Sequence, residues 1–170
     1  MKTFTLQSLR CAALFAAAFL ASQASAQMDS LKHSDKAFIE KAAKAGTEEV
    51  DISRVAAERT LNPQVKAFAQ MVIDDHTAAN AALGTIASGK GVSLPATDME
   101  VTNKWSKKSG KDLDEDYVEK MVSAHKEAVE LFQKEADKGV DMDTKNFARD
   151  TLPKLQHHLE MAMDLKKTVK

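Results

Sequence analysis

Four stretches of this chain repeat their apolar residues every three or four positions, the period of an α-helix. No stretch alternates apolar with polar residues as a half-buried strand does. That pattern confines the chain to an all-α fold in which each helix hides one apolar stripe. The spacing predicts helices over Asp35–Thr60, with Ser34 as N-cap, and from Pro63 to about Ser88, with Asn62 as N-cap. Pro63 is harmless at the first helical position, where its missing N–H would have no partner. Gly89 and Gly91 stop the second helix. A third is expected from after Asp112 to near Gly139, where Asp112 and Glu115 resemble a capping box, and a fourth over Asp143–Val169.

Two of the connections are short, and short connections make antiparallel helix pairs. The middle connection, Lys90–Lys111, is long enough to run the whole length of a helix, roughly 39 Å for 26 residues. It carries a candidate short helix at Asp98–Lys108. Two hairpins joined by a long crossover form the ferritin-like four-helix bundle; an up-down-up-down bundle is the alternative.

The first 26 residues read as a secretory signal peptide. Lys2 and Arg10 precede or flank the apolar run "CAALFAAAFLA", and "ASA" at Ala24–Ala26 is a small-residue cleavage site. The run is shorter than the roughly 20 residues that span a bilayer. Removing it leaves one expected domain at 27–170, exported to the periplasm, with no transmembrane segment. Its 22 basic residues, of 24 in the whole chain, face 25 acidic ones, a balance that points to neither nucleic acid nor an anionic membrane. Protein partners are not legible. The only cysteine, Cys11, leaves with the signal, which excludes disulfides, thiolate chemistry and iron–sulfur clusters.

Placed on helical wheels, the inward stripes carry polar residues that do not belong in an apolar seam. Glu49 sits among Phe38, Ala42, Gly46, Ser53 and Ala56. His76 lies between Val72 and Ala79, with Asp75 at the stripe's edge. His125 follows Met121, and His158 lies in the arc of Ala148, Leu155 and Ala162, whereas His157 points outward. Glu49 and His76 are equidistant from the Asn62–Pro63 turn, and His125 and His158 flank the second turn symmetrically. All four therefore fall near mid-bundle, at one depth. A buried carboxylate needs a partner, and a divalent metal or hydrogen bonds within the group would supply one.

The candidate metal ligands are thus Glu49, His76, His125 and His158, with Asp75 as a fifth ligand or outer partner. Imidazole with carboxylate suits zinc, copper, iron or nickel, and Met121 hints at copper unless it only fills core. A di-iron site would need Glu-x-x-His on two helices and two further glutamates. The residues three before His76, His125 and His158 are Ile73, Val122 and Leu155. The competing role is a metal-free polar layer that fixes helix register. A hydrolytic metalloenzyme needs an open position and a cleft, and the sequence shows neither, so catalysis is not the expected role.

Pro153 interrupts the fourth helix. It either kinks that helix and aims His158, or divides it in two with Thr151 capping the second half. "KWSKKSGK" at Lys104–Lys111 is followed at once by acidic "DLDED", the pattern of a solvated crossover.

The stretches "NPQVKAFAQMVIDDH", "GVSLP", "YVEKMVSAHKEAVELF" and "LPKLQHHLEMA" resemble domain-of-unknown-function family 4142, exported bacterial proteins placed among ferritin-like folds. The resemblance covers about Ser34 to Leu165. It implies recurrent polar positions at Glu49, Asp75, His76, His125 and His158, the same set as the wheels. Family members often have Asp before the third-helix histidine, where this chain has Ala124. The family is often labelled a membrane protein, and it implies no established activity. Mass spectrometry of the exported protein is expected to show a chain starting near Gln27; a retained N-terminus would overturn the signal-peptide reading.

Overall fold

The structure, a computed structural model, describes residues 31–96 and 98–169. The signal peptide expected at 1–26, and its cleavage site, lie outside the described residues. These residues form five helices and no strand: α1 His33–Arg59, α2 Pro63–Gly89, α3 Met99–Trp105, α4 Gly110–Lys138 and α5 Met142–Thr168. Among them, no helix is long and apolar enough to cross a membrane.

The second helix starts and stops as its residues dictate. Asn62 Oδ1 accepts from the backbone N–H of Gln64 at 2.9 Å and of Val65 at 3.4 Å, and Pro63 opens the helix. At the other end Gly91 takes φ +66°, and the Val92 N–H reaches back to the Ala87 carbonyl at 2.9 Å. This is a Schellman close, which needs the left-handed residue that glycine supplies at no steric cost.

Two expected caps are absent. α1 begins at His33 behind Lys32, which makes no side-chain cap, and Ser34 Oγ instead donates to Asp35 Oδ1. α4 begins at Gly110, two residues before the expected capping box, so Asp112 lies inside the first turn and Glu115 pairs with Lys111. Cap motifs are short, and a glycine at φ +61° lets the helix start earlier than the motif implies. α5 is capped by Asp141, whose Oδ1 accepts from Asp143 and Thr144.

The ends of the helices decide the topology. Phe38, early in α1, packs edge-on against Phe132, late in α4, at 5.0 Å. At the opposite end Thr60 Oγ1 donates to Asp114 Oδ1. Lys90, just past α2, pairs with Asp141 and Asp143 at the start of α5, at 2.6 and 2.8 Å. The chain between α2 and α4 therefore travels the full length of the bundle. This is the ferritin-like crossover and not the up-down-up-down alternative. α3 packs against α1 and ties the crossover down by burying Trp105 in the apolar core.

α5 runs unbroken through Pro153, so the two-helix reading does not apply. Pro153 and Arg149, whose carbonyl loses its helical partner, both sit on the exposed face, where water can replace that bond.

The apolar core is in two parts. One, with Ile52, Phe68, Tyr117 and Met121, lies toward the α1–α2 turn; the other, with Phe38, Leu83, Phe132 and Leu155, lies toward the α4–α5 turn. Among the described residues, neither part extends across the middle of the bundle. The second part is closed by Asp35, fully buried, whose carboxylate accepts from the N–H groups of Val140 (3.3 Å) and Asp141 (2.9 Å). Asp35→Ala would leave those donors without a partner and is expected to destabilise the fold by about 1–3 kcal/mol, read from the denaturant midpoint. An unchanged midpoint would show that the turn is fixed without it.

Candidate metal centre

Each long helix contributes one side chain to the gap in the core: Glu49 from α1, His76 from α2, His125 from α4 and His158 from α5. All four are buried, His125 and His158 completely. The three rings stand with centroids 5.3–5.4 Å apart. One ligand nitrogen from each histidine falls within 4.8 Å of the others. His157 is exposed on the far side of α5.

Backbone and carboxylate partners fix which nitrogens carry protons. His125 Nδ1 lies 2.9 Å from the Met121 carbonyl, which can only accept, so this nitrogen is protonated and Nε2 keeps its lone pair. His158 Nε2 lies 2.9 Å from Asp75 Oδ2 and donates to it, which leaves Nδ1 with the lone pair. Those two lone pairs, His125 Nε2 and His158 Nδ1, face each other at 3.3 Å. His76 Nε2 also meets His158 Nδ1 at 3.3 Å. One lone pair can accept a single proton from His76, and the repulsion from His125 remains. A cation placed among the three nitrogens removes it.

Asp75 was expected at the edge of the stripe and sits there, partly exposed. Its other oxygen accepts from Lys154 Nζ at 2.7 Å. Burial pushes the Asp75 carboxyl up, but the hydrogen bonds from Lys154 and His158 outweigh it and hold the group below its usual range. Lys154 was not foreseen; it immediately follows Pro153 and lies one turn before His158. Met121 lends only its carbonyl. Its side chain belongs to the apolar core, so the hint of a sulfur ligand is not supported by its position. Below Glu49, Ser53 and Tyr117 share a buried hydrogen bond of 2.9 Å. Tyr117 was absent from the expected stripe, although it stands at i−4 from Met121 and i−8 from His125 and could have been read there.

Glu49 Oε2 lies 3.3 Å from His76 Nδ1 and 3.7 Å from His125 Nε2, yet among the described residues no group hydrogen-bonds it. Burial pushes the Glu49 carboxyl up to about 8, against the nearby Lys120, which lowers it. Burial lowers His76 to about 3 and His125 to about 4, in both cases reinforced by the neighbouring histidines. His158 is lowered by burial in spite of Asp75. Near neutral pH the contact of Glu49 with His76 is therefore not an ion pair. The imidazoles are neutral, with lone pairs that could bind a cation, and the carboxyl keeps its proton.

The description "Domain of unknown function (DUF4142)" matches residues 20–165 of this chain. No curated protein matches it. Three solved structures share the fold. A DUF305 fragment from Deinococcus radiodurans superposes with a TM-score of 0.71 at 12% identity, over 81% of this chain and 98% of that one. CopM in the Cu(I)-bound form gives 0.66 at 14%, over 79% and 96%. A dodecameric thioferritin, the bacterioferritin-related protein from Bacteroides fragilis, gives 0.59 at 16%, over 83% and 89%. At these identities the likeness is one of fold.

The pKa shifts set a pH profile for the metal-free chain. Glu49 binds a proton in the folded state but not in the unfolded state between about 4.5 and 8, so stability falls as pH rises through that window. His76 and His125 bind protons only when unfolded between about 3–4 and 6.5, so stability falls as pH drops through theirs. Stability is expected to peak near pH 6.5, and Glu49→Gln to remove the decline on the alkaline side. Denaturant titrations from pH 5 to 9 check this; parallel curves for the two proteins would show that Glu49 does not titrate there.

Proposed function

The chain belongs to the DUF4142 family, and we propose that it is an exported ferritin-like bundle that binds one divalent transition-metal ion. The ligands are His76, His125, His158 and Glu49, and Asp75 orients His158 from outside. One observation carries the reading: the lone pairs of His125 and His158 face each other at 3.3 Å beside a buried carboxylate oxygen that has no hydrogen-bond partner among the described residues. Ligands about 2.0–2.1 Å from a tetrahedral ion stand roughly 3.3–3.4 Å apart. The 3.3 Å separations on either side of His158 Nδ1 agree with that edge, and Glu49 Oε2 stands 3.7 Å from His125 Nε2; its 3.3 Å contact with His76 is to Nδ1, the ring nitrogen that does not face His158.

Three imidazoles and one carboxylate suit zinc or copper(II) best, and iron less. One similar structure carries Cu(I), but soft Cu(I) favours sulfur ligands, and this set has none. A di-iron centre is unsupported, because only one carboxylate reaches the cage. Four protein ligands leave no open coordination position, which favours binding or sequestration over hydrolysis.

A second reading has its own support. With Glu49 protonated and the histidines neutral, the layer can persist without metal and serve only to fix helix register. A melting scan of metal-stripped protein against zinc, copper, iron and nickel separates the two. Binding to the folded state alone stabilises by about 2.7 kcal/mol at a hundredfold excess over Kd, a shift of several degrees for a domain of this size. His76→Ala and His125→Ala are expected to lose that shift, and His157→Ala to keep it. No shift with any of the four metals, in protein shown to be folded, rejects metal binding and leaves the register-setting layer.

A further inference from the structure

Glu49 borders two spaces. On its inner side it faces the histidines. On its outer side it forms part of the floor of a groove between α1 and α4, about 360 Å³ in volume, with Ala45 and Ala124 beside it. Glu48 and Glu127 stand on the groove's walls, and Lys120 Nζ crosses to Glu48 Oε1 at 2.8 Å. The other approach is a cavity inside the bundle that reaches Asp75 and Lys154 at the α2–α5 seam; its volume is about 30 Å³.

Resting on the binding reading above, we propose that the α1–α4 groove is the passage by which a hydrated divalent cation reaches the histidines. Glu49 transfers the ion from groove to cage, and the Lys120–Glu48 pair is a latch across the way in. Size separates the two approaches. A water needs roughly 10–15 Å³ on this measure. The seam cavity then holds about two or three waters, and the groove about two to three dozen. A divalent ion with about six waters fits only the groove.

Composition supports the same route. Alanine at 45 and 124 puts only small side chains beside the buried Glu49 on the groove's floor. Its Oε2 is buried and has no hydrogen-bond partner among the described residues, so no bond has to break when it turns. Glu127 supplies a charge of the right sign on the groove wall, and among the described residues its partner is Ser123 Oγ at 3.5 Å. The seam, by contrast, is closed by Lys154, a cation already seated on Asp75.

Stopped-flow mixing of metal-stripped full chain with Co²⁺, followed by the visible absorption of tetrahedral cobalt, reads both the amount bound and the rate. Lys120→Ala and Lys120→Met are expected to speed association and dissociation together, several-fold. Glu127→Gln is expected to slow association several-fold and weaken its dependence on ionic strength. Lys166→Ala, the same charge change at a surface pair with Glu119, is expected to do neither. Wild-type binding with no rate change in the groove variants overturns the passage alone. Acceleration in Lys154→Ala but not in the Lys120 variants overturns it too, and assigns the seam instead. An absence of bound cobalt at equilibrium in the wild type removes the binding reading on which the passage rests.

Discussion

The structure is organised around a carboxylate and three imidazoles placed where apolar side chains would otherwise meet. Burying Glu49 without a partner is costly, and the fold reduces that cost in two ways. It raises the carboxyl so that it keeps its proton, and it surrounds the group with rings that stay neutral. The result is a layer that divides the core into two apolar halves and ties all four long helices to one depth. Such a layer penalises any slip in register, because a shift of one residue would carry a histidine to a different face of its helix.

The crossover is what gives the layer its geometry. Because the chain returns along the bundle before α4 begins, α1 lies antiparallel to α4 and α2 to α5. Glu49 then lies across from His125, and Asp75 meets His158 directly. Asp35 at one end and the Thr60–Asp114 hydrogen bond at the other fix the helix ends, so the four side chains have little freedom to separate. Bundles of similar fold and very different sequence include CopM in the Cu(I)-bound form and a dodecameric thioferritin. What such a frame does depends on the residues grafted on it, and here those are imidazoles with a single inward carboxylate.

Much of this was legible in the residues. Period, turn residues and symmetric spacing placed Glu49, His76, His125 and His158 in one layer, and placed His157 outside it. Caps were less legible. Ser34 and Asp112 carry the right chemistry for N-caps, but helix starts depend on backbone torsions at Lys32 and Gly110 that a short motif does not specify. Pro153 was ambiguous for a related reason: whether a helix survives a proline depends on whether the stranded carbonyl faces water, and that is a matter of packing.

The sequence by itself determined four amphipathic helices, which residues turn inward and how deep they lie, since all of these follow from local periodicity and chain length. The tertiary structure alone decided the crossover, the tautomers of His125 and His158, the pairing of Lys154 with Asp75 and of Lys120 with Glu48, and the 3.3 Å approach of the ring nitrogens. Each of these is a contact between groups far apart in the chain. A contact of that kind is set by which helices become neighbours and by the rotamers their packing permits, and neither leaves a periodic trace in the sequence.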